Sequence, residues 1–145
     1  MLDWPGKSAP IGGEVRHPAV FHMLDVAAVA ERLLVPFHFE PELRGALVLL
    51  VALHDLGKIS DSFRAMIEAG TSQKFRHWQL TEALLFAHDE RLAIRIGGSW
   101  RQRQALYASV AGHHGQPSDL GLGGQPGFPA RGRGFRTALA GVGAG

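Results

Sequence analysis

Cysteine is absent from the chain. Disulfides and thiolate metal ligands are therefore excluded, and a reducing compartment is compatible with the composition. No apolar run approaches the roughly 20 residues needed to span a bilayer. Met1 to Pro10 lacks the basic-then-apolar order of a secretion signal. These absences together read as a cytoplasmic protein. Acidic residues are scarce at one end. Residues 91–145 carry seven arginines against a single acid, Asp119, whereas residues 1–90 carry 8 Lys/Arg against 12 Asp/Glu. The basic end either draws a polyanion such as nucleic acid or is an arginine-bearing tail without a partner. β-type alternation and internal repeats are also missing.

What is present is helical. The 145 residues, 46% hydrophobic and 19% charged, suit one globular domain with a core. Trp4-Pro5-Gly6-Lys7-Ser8, Pro10 and Gly12-Gly13 are loop chemistry. A first helix begins near Pro18, with Val26, Val29, Ala30 and Leu33 on one face and His22 a turn earlier. Pro36 stops it and Pro41 opens the next. The second helix runs from about Pro41 to Leu56. Gly45 through Leu53 holds no charge, so this helix should be central, with Gly57 as its stop. Ser60 caps a third helix over about Asp61 to Ala69. A fourth runs from Arg76 or His77 to about Ile96, and Ser99 caps a fifth over about Trp100 to Ala111. The fold class is all-α, a helical bundle of about five core helices. Residues 1–115 form the domain. Residues 116–145, with nine glycines and three prolines, read as a flexible Gly-rich C-terminal tail with a short helical piece at Arg136 to Ala140.

The chemistry gathers at Ala52-Leu53-His54-Asp55-Leu56-Gly57-Lys58. A histidine and a carboxylate at the end of a buried helix are costly unless something uses them, and a metal ion is the natural user. His22, His77, His113 and His114 also stand at helix ends or on core-facing stripes, where antiparallel packing brings them to one end of a bundle. Five histidines and an aspartate exceed the needs of one ion with open positions. Two ions about 3.5–4 Å apart would use them, a geometry common in phosphodiester hydrolysis. His88 lies about 16 Å along the same helix from His77 and is set aside. His38 is a loop residue, and His17 is placed to orient a ligand from behind. Lys58 either meets a phosphate as a point charge or is a surface lysine after a helix stop.

In this order the pieces resemble the HD superfamily of metal-dependent phosphohydrolases. More narrowly, they resemble the HD nuclease domain of the CRISPR-associated helicase-nuclease of type I interference systems. The matching pieces are Trp4-Pro5-Gly6-Lys7-Ser8, His22 to Ala30, Ala52 to Lys58, Phe75-Arg76-His77 and Gly112-His113-His114-Gly115. The resemblance implies that His22, His54 and Asp55 hold one divalent transition-metal ion (Mn, Co, Ni or Fe, with Mg possible). Asp55 would bridge to a second ion held by His77, His113 and His114. It implies cleavage of single-stranded DNA in antiviral defence, a helicase domain that feeds the strand, and recruitment to an RNA-guided CRISPR surveillance complex. The family carries a further Asp ligand well beyond the His-His pair. Asp119 is too close to His114 for that role, so the chain reads as a truncated HD domain with Asp55 as its catalytic carboxylate beside Lys58. The alternatives are an HD phosphohydrolase acting on nucleotides and an inactive metal-binding remnant.

Overall fold

A computed structural model describes residues 4–6, 17–73 and 75–115. Six helices follow in order: α1 (Ala19–Leu33), α2 (Pro41–Ala52), α3 (Asp61–Ala69), α4 (His77–Ala87), α5 (Asp89–Ile96) and α6 (Trp100–Ala111). Short 3-10 turns occupy Val35–Phe37, Leu56–Lys58 and Gly112–His114. No strand occurs among the described residues, and the chain is all-α as its sequence implies. The expected tail, its helical piece and Asp119 lie outside the described residues.

The N-terminal segment closes the start of α1. Pro18, at the N-cap, offers no side-chain acceptor, so the Ala19 N–H donates to the Trp4 carbonyl at 2.7 Å while Gly6 N–H donates to His17 O at 2.9 Å. A Cβ on Gly6 would come within 2.9 Å of Ala19 Cα, so only glycine permits this approach. Arg64 of α3 lies over the Trp4 ring at 5.5 Å and ties the segment to the bundle.

Ser60 and Ser99 cap α3 and α6, each accepting from a backbone N–H three residues on. Gly70 ends α3 in the left-handed region at φ 66°. The second helix is shorter than its apolar run: α2 ends at Ala52, and the chain enters tight turns before the His-Asp pair is complete. The long fourth helix is in fact two. The chain breaks at His88 (φ −109°, ψ 17°), and Asp89 and Glu90 start α5, where carboxylates favour the positive end of the helix.

Asp89, just after the break, ties the start of α5 to α6. Its carboxylate accepts Arg103 Nε at 2.6 Å, Arg103 Nη2 at 2.7 Å and the Tyr107 hydroxyl at 2.8 Å. The Arg103 hydrogen bonds hold the Asp89 carboxyl below its usual range, and burial, then Asp89, push the Tyr107 phenol up. Arg103→Ala should cost about 2–3 kcal/mol at neutral pH, because it strands a half-buried carboxylate. A depressed carboxylate stabilises above its unfolded pKa and loses that contribution as pH falls through its native value. The gap in urea stability between Arg103→Ala and wild type should therefore close below about pH 4.

Leu50, Leu85 and Tyr107 form the buried core, with Leu53, Phe86, Leu92, Ile96, Trp100, Leu106 and Val110 against them. The most enclosed helix is α4, where His77, Leu80, Thr81, Glu82, Ala83, Leu84 and Leu85 are all buried. This corrects the expectation for α2, which buries only Ala46 and Leu50. Uncharged composition marks α2 as apolar, but two of its sides pack, on α1 and on α5 and α6. The inward stripe of α1 also differs from the periodicity: Ala19, Met23 and Ala27 are buried, whereas Val29 and Leu33 are 57% and 66% exposed.

Candidate metal centre

The site is built from the end of α2. Leu50 anchors that end in the core, and His54 follows one turn later. Helical geometry then tightens: His54 N–H bonds back to Val51 O, Leu56 to Leu53 O and Lys58 to Asp55 O, each three residues back. Asp55 sits in the sparsely populated bridge region at φ −108° and ψ 19°. Its side chain turns inward and is 2% exposed.

Gly57 sets the register against α4. Its N–H donates to Thr81 Oγ1 at 2.9 Å. A Cβ there would run into the His77 carbonyl and stand 2.7 Å from Thr81 N. The glycine expected to stop a helix therefore serves close approach instead, and α2 is stopped earlier, at Leu53. Gly57→Ala should push α4 away and move His77 from Asp55. A loss of about 3 kcal/mol is expected from the overpacking, read as a lower midpoint in thermal or urea unfolding. Thr81→Val, which only loses the hydrogen bond, should cost about 1 kcal/mol.

Around Asp55 the structure gathers the histidines in two groups. On the Oδ2 side, His22 Nε2 is at 3.3 Å and His54 Nε2 at 3.2 Å, with Lys58 Nζ donating at 2.7 Å. On the Oδ1 side, His77 Nε2 is at 3.5 Å and His113 Nε2 at 3.6 Å. His114 Nε2 is 2.8 Å from His77 Nε2. Candidate ligand atoms of Asp55, His77, His113 and His114 lie within 4.8 Å of one another, as do those of His22, His54 and Asp55.

Backbone carbonyls orient two of these rings. His54 Nδ1 is 2.8 Å from Val51 O, and His113 Nδ1 is 2.8 Å from Val110 O. A carbonyl only accepts, so each Nδ1 carries a proton; a protonated His54 also donates from Nε2 to Asp55, and in the neutral ring each Nε2 holds the lone pair a metal would take. Burial drives His77 down to about 4 and lowers His113 as well, so both are neutral, as ligands must be, at pH 7. His54 is raised by its contact with Asp55. Burial works to raise Asp55, but the hydrogen bonds from His54 and Lys58 outweigh it and hold the carboxyl well below its usual range.

The donor set fits a metal. Asp55 Oδ1 is buried without a hydrogen-bond partner, although it belongs to an ionised carboxylate and imidazole nitrogens face it. Lys58 meets the charge on Oδ2, but a buried acceptor left without a partner, as Oδ1 is, is costly. A cation among Oδ1, His77, His113 and His114 would satisfy it. Imidazole and carboxylate without thiolate suit Mn, Fe, Co, Ni or Zn.

All six ligands expected from the sequence thus meet at one end of the bundle, and Lys58 reaches Asp55 rather than open solvent. His88 and His38 are exposed, and His17 pairs with Asp25 at 2.9 Å while its ring lies edge-on to His22 at 6.2 Å. Sequence reasoning missed the supports. Thr81 lies one turn after His77. The Phe63 ring packs edge-on against His77 at 5.4 Å, and Trp78 lies 5.1 Å from His114. Helical spacing from His77 could have flagged Thr81, but the aromatic contacts depend on tertiary packing.

Fold and site together define a helical His-Asp domain, an all-α bundle closing on one buried aspartate ringed by histidines. The family model for the HD domain of Cas3 matches residues 4–132, and the chain belongs to that family. It is 32% identical over 136 residues to the CRISPR-associated endonuclease/helicase Cas3 of Thermus thermophilus. That alignment covers 74% of this chain and 14% of the relative, so the chain spans a small part of that protein's length. No solved structure matches the chain. Among the described residues no helix is long and apolar enough to cross a membrane.

Proposed function

We propose that this domain is a metal-dependent nuclease that hydrolyses phosphodiesters of single-stranded DNA in CRISPR type I antiviral defence. The observation that carries this reading is the division of Asp55: each carboxylate oxygen faces its own set of histidine nitrogens. A carboxylate so placed suits the bridge between two ions, with His22 and His54 on one side and His77, His113 and His114 on the other. Two divalent transition ions, when bound, would supply Lewis acidity and a more acidic water for attack on phosphorus. The chain's residues do the rest. Val51 O and Val110 O keep the Nε2 atoms of His54 and His113 aimed inward. Asp55 holds both halves in register. Lys58, beside Oδ2, is the cation that would meet a phosphate oxygen of the strand as a point charge.

The Thermus relative is named an endonuclease and helicase. By analogy, a helicase domain would feed the strand to this site after an RNA-guided surveillance complex has opened the target. The test uses circular single-stranded DNA, which only an internal cut can open. Linear fragments in Mn²⁺ or Ni²⁺, none in chelator, are the expected result. Phosphate release from nucleotides with the circle intact would replace this reading with a nucleotide phosphohydrolase. Bound metal with neither reaction would leave a metal-binding domain without turnover.

A further inference from the structure

Lys58 occupies a position that a metal site does not ordinarily give to a lysine. Its Nζ donates to Asp55 Oδ2 at 2.7 Å, shorter than the distance of either His22 or His54 Nε2 to that oxygen. Its side chain is 11% exposed, so the ion pair is weakly screened. The two oxygens of Asp55 are treated unequally: Oδ2 already has a cation, and Oδ1, facing His77 and His113, has no hydrogen-bond partner. A carboxylate oxygen ligates a divalent ion at about 2.0–2.2 Å, so an ion on Oδ2 would stand close to the Lys58 ammonium, whose charge opposes its binding.

We propose that Lys58 is an internal competitor for the Oδ2 half of the metal centre. It neutralises Asp55 while that half is empty, and it must leave Oδ2 for His22, His54 and Asp55 to act as ligands. The Phe63 ring, 5.9 Å from Nζ, lends a second partner as the ammonium turns away, and a substrate phosphate is the next. The same residue thus weakens metal binding and becomes available to the strand once the site is filled. The Oδ1 half has no such competitor. This inference rests on the metal-centre reading and deepens it.

Isothermal titration with Mn²⁺ alone tests it on the full chain. Lys58→Met should bind the weaker of the two ions about tenfold or more tightly than wild type, because a charge-assisted hydrogen bond no longer has to be broken. Its metal-free melting temperature should fall, and its rise on adding Mn²⁺ should exceed that of wild type. Lys58→Arg, which keeps the charge, should stay near wild type in affinity. If Lys58→Met does not fold, Lys58→Gln is titrated in its place with the same expectation. A second measurement needs no variant: labelling of Lys58 by an amine-reactive reagent, read by mass spectrometry, should rise severalfold when Mn²⁺ is added. Unchanged or weaker Mn²⁺ affinity in the uncharged variants, or labelling indifferent to Mn²⁺, would overturn the proposal and leave the metal centre standing. If neither wild type nor variants bind Mn²⁺, the metal centre itself falls, and the proposal with it.

Discussion

Asp55→Asn should abolish DNA cleavage, by about three orders of magnitude or more, while leaving the helical content intact. Asparagine keeps the shape but not the charge. The six side chains of the site then lose their one shared anion: among the described residues, Asp55 is the only carboxylate in either ligand cluster. A metal centre contributes several kcal/mol of transition-state charge stabilisation, and each 1.36 kcal/mol is about a factor of ten in rate. The change also strands Lys58, whose ammonium at 2.7 Å would lose its anionic partner. Circular dichroism and a cleavage assay on the same preparation separate lost chemistry from lost fold. Cleavage within tenfold of wild type would remove Asp55 from the centre of the account.

Metal loading should have the second large effect. Wild type in saturating Mn²⁺ or Ni²⁺ should melt about 10 °C higher than in chelator. A ligand at a hundred times its Kd adds about 2.7 kcal/mol to the native state, and a domain of this size gains several degrees per kcal/mol. Elemental analysis after desalting should give two ions per chain. His77→Ala should leave one, since His77 serves only the Oδ1 half, and His22→Ala should leave one for the opposite reason. A single ion in wild type, lost equally in both variants, would reduce the centre to one metal.

The side chains that gather around Asp55 could be named from the sequence because their chemistry is conspicuous. A His-Asp pair ending an apolar run, a His at the head of a helix and a His-His pair after another are hard to place in a core without a use. Helix caps were equally legible, since Ser60 and Ser99 act through local hydrogen bonds. What could not be read depends on partners far along the chain. At the break at His88, Asp89 reaches Arg103 and Tyr107 on α6, partners 14 and 18 residues away. Gly57 looks like a helix stop in one dimension and is a point of close approach to α4 in three. The inward face of α1 runs through Ala19, Met23 and Ala27, a stripe set by which side meets the rest of the bundle, which periodicity alone does not give. The enclosure of α4 over α2 has the same origin: hydropathy ranks how apolar a helix is, not how many neighbours surround it.

The division of Asp55 between two histidine sets is the centre of the account, and anomalous scattering tests it most directly. In crystals of the full chain grown with Mn²⁺, two peaks should flank Asp55 about 3.5–4 Å apart. His22 and His54 should stand on the Oδ2 side, and His77, His113 and His114 on the Oδ1 side. One peak, or two that leave either oxygen of Asp55 without a metal, would contradict it.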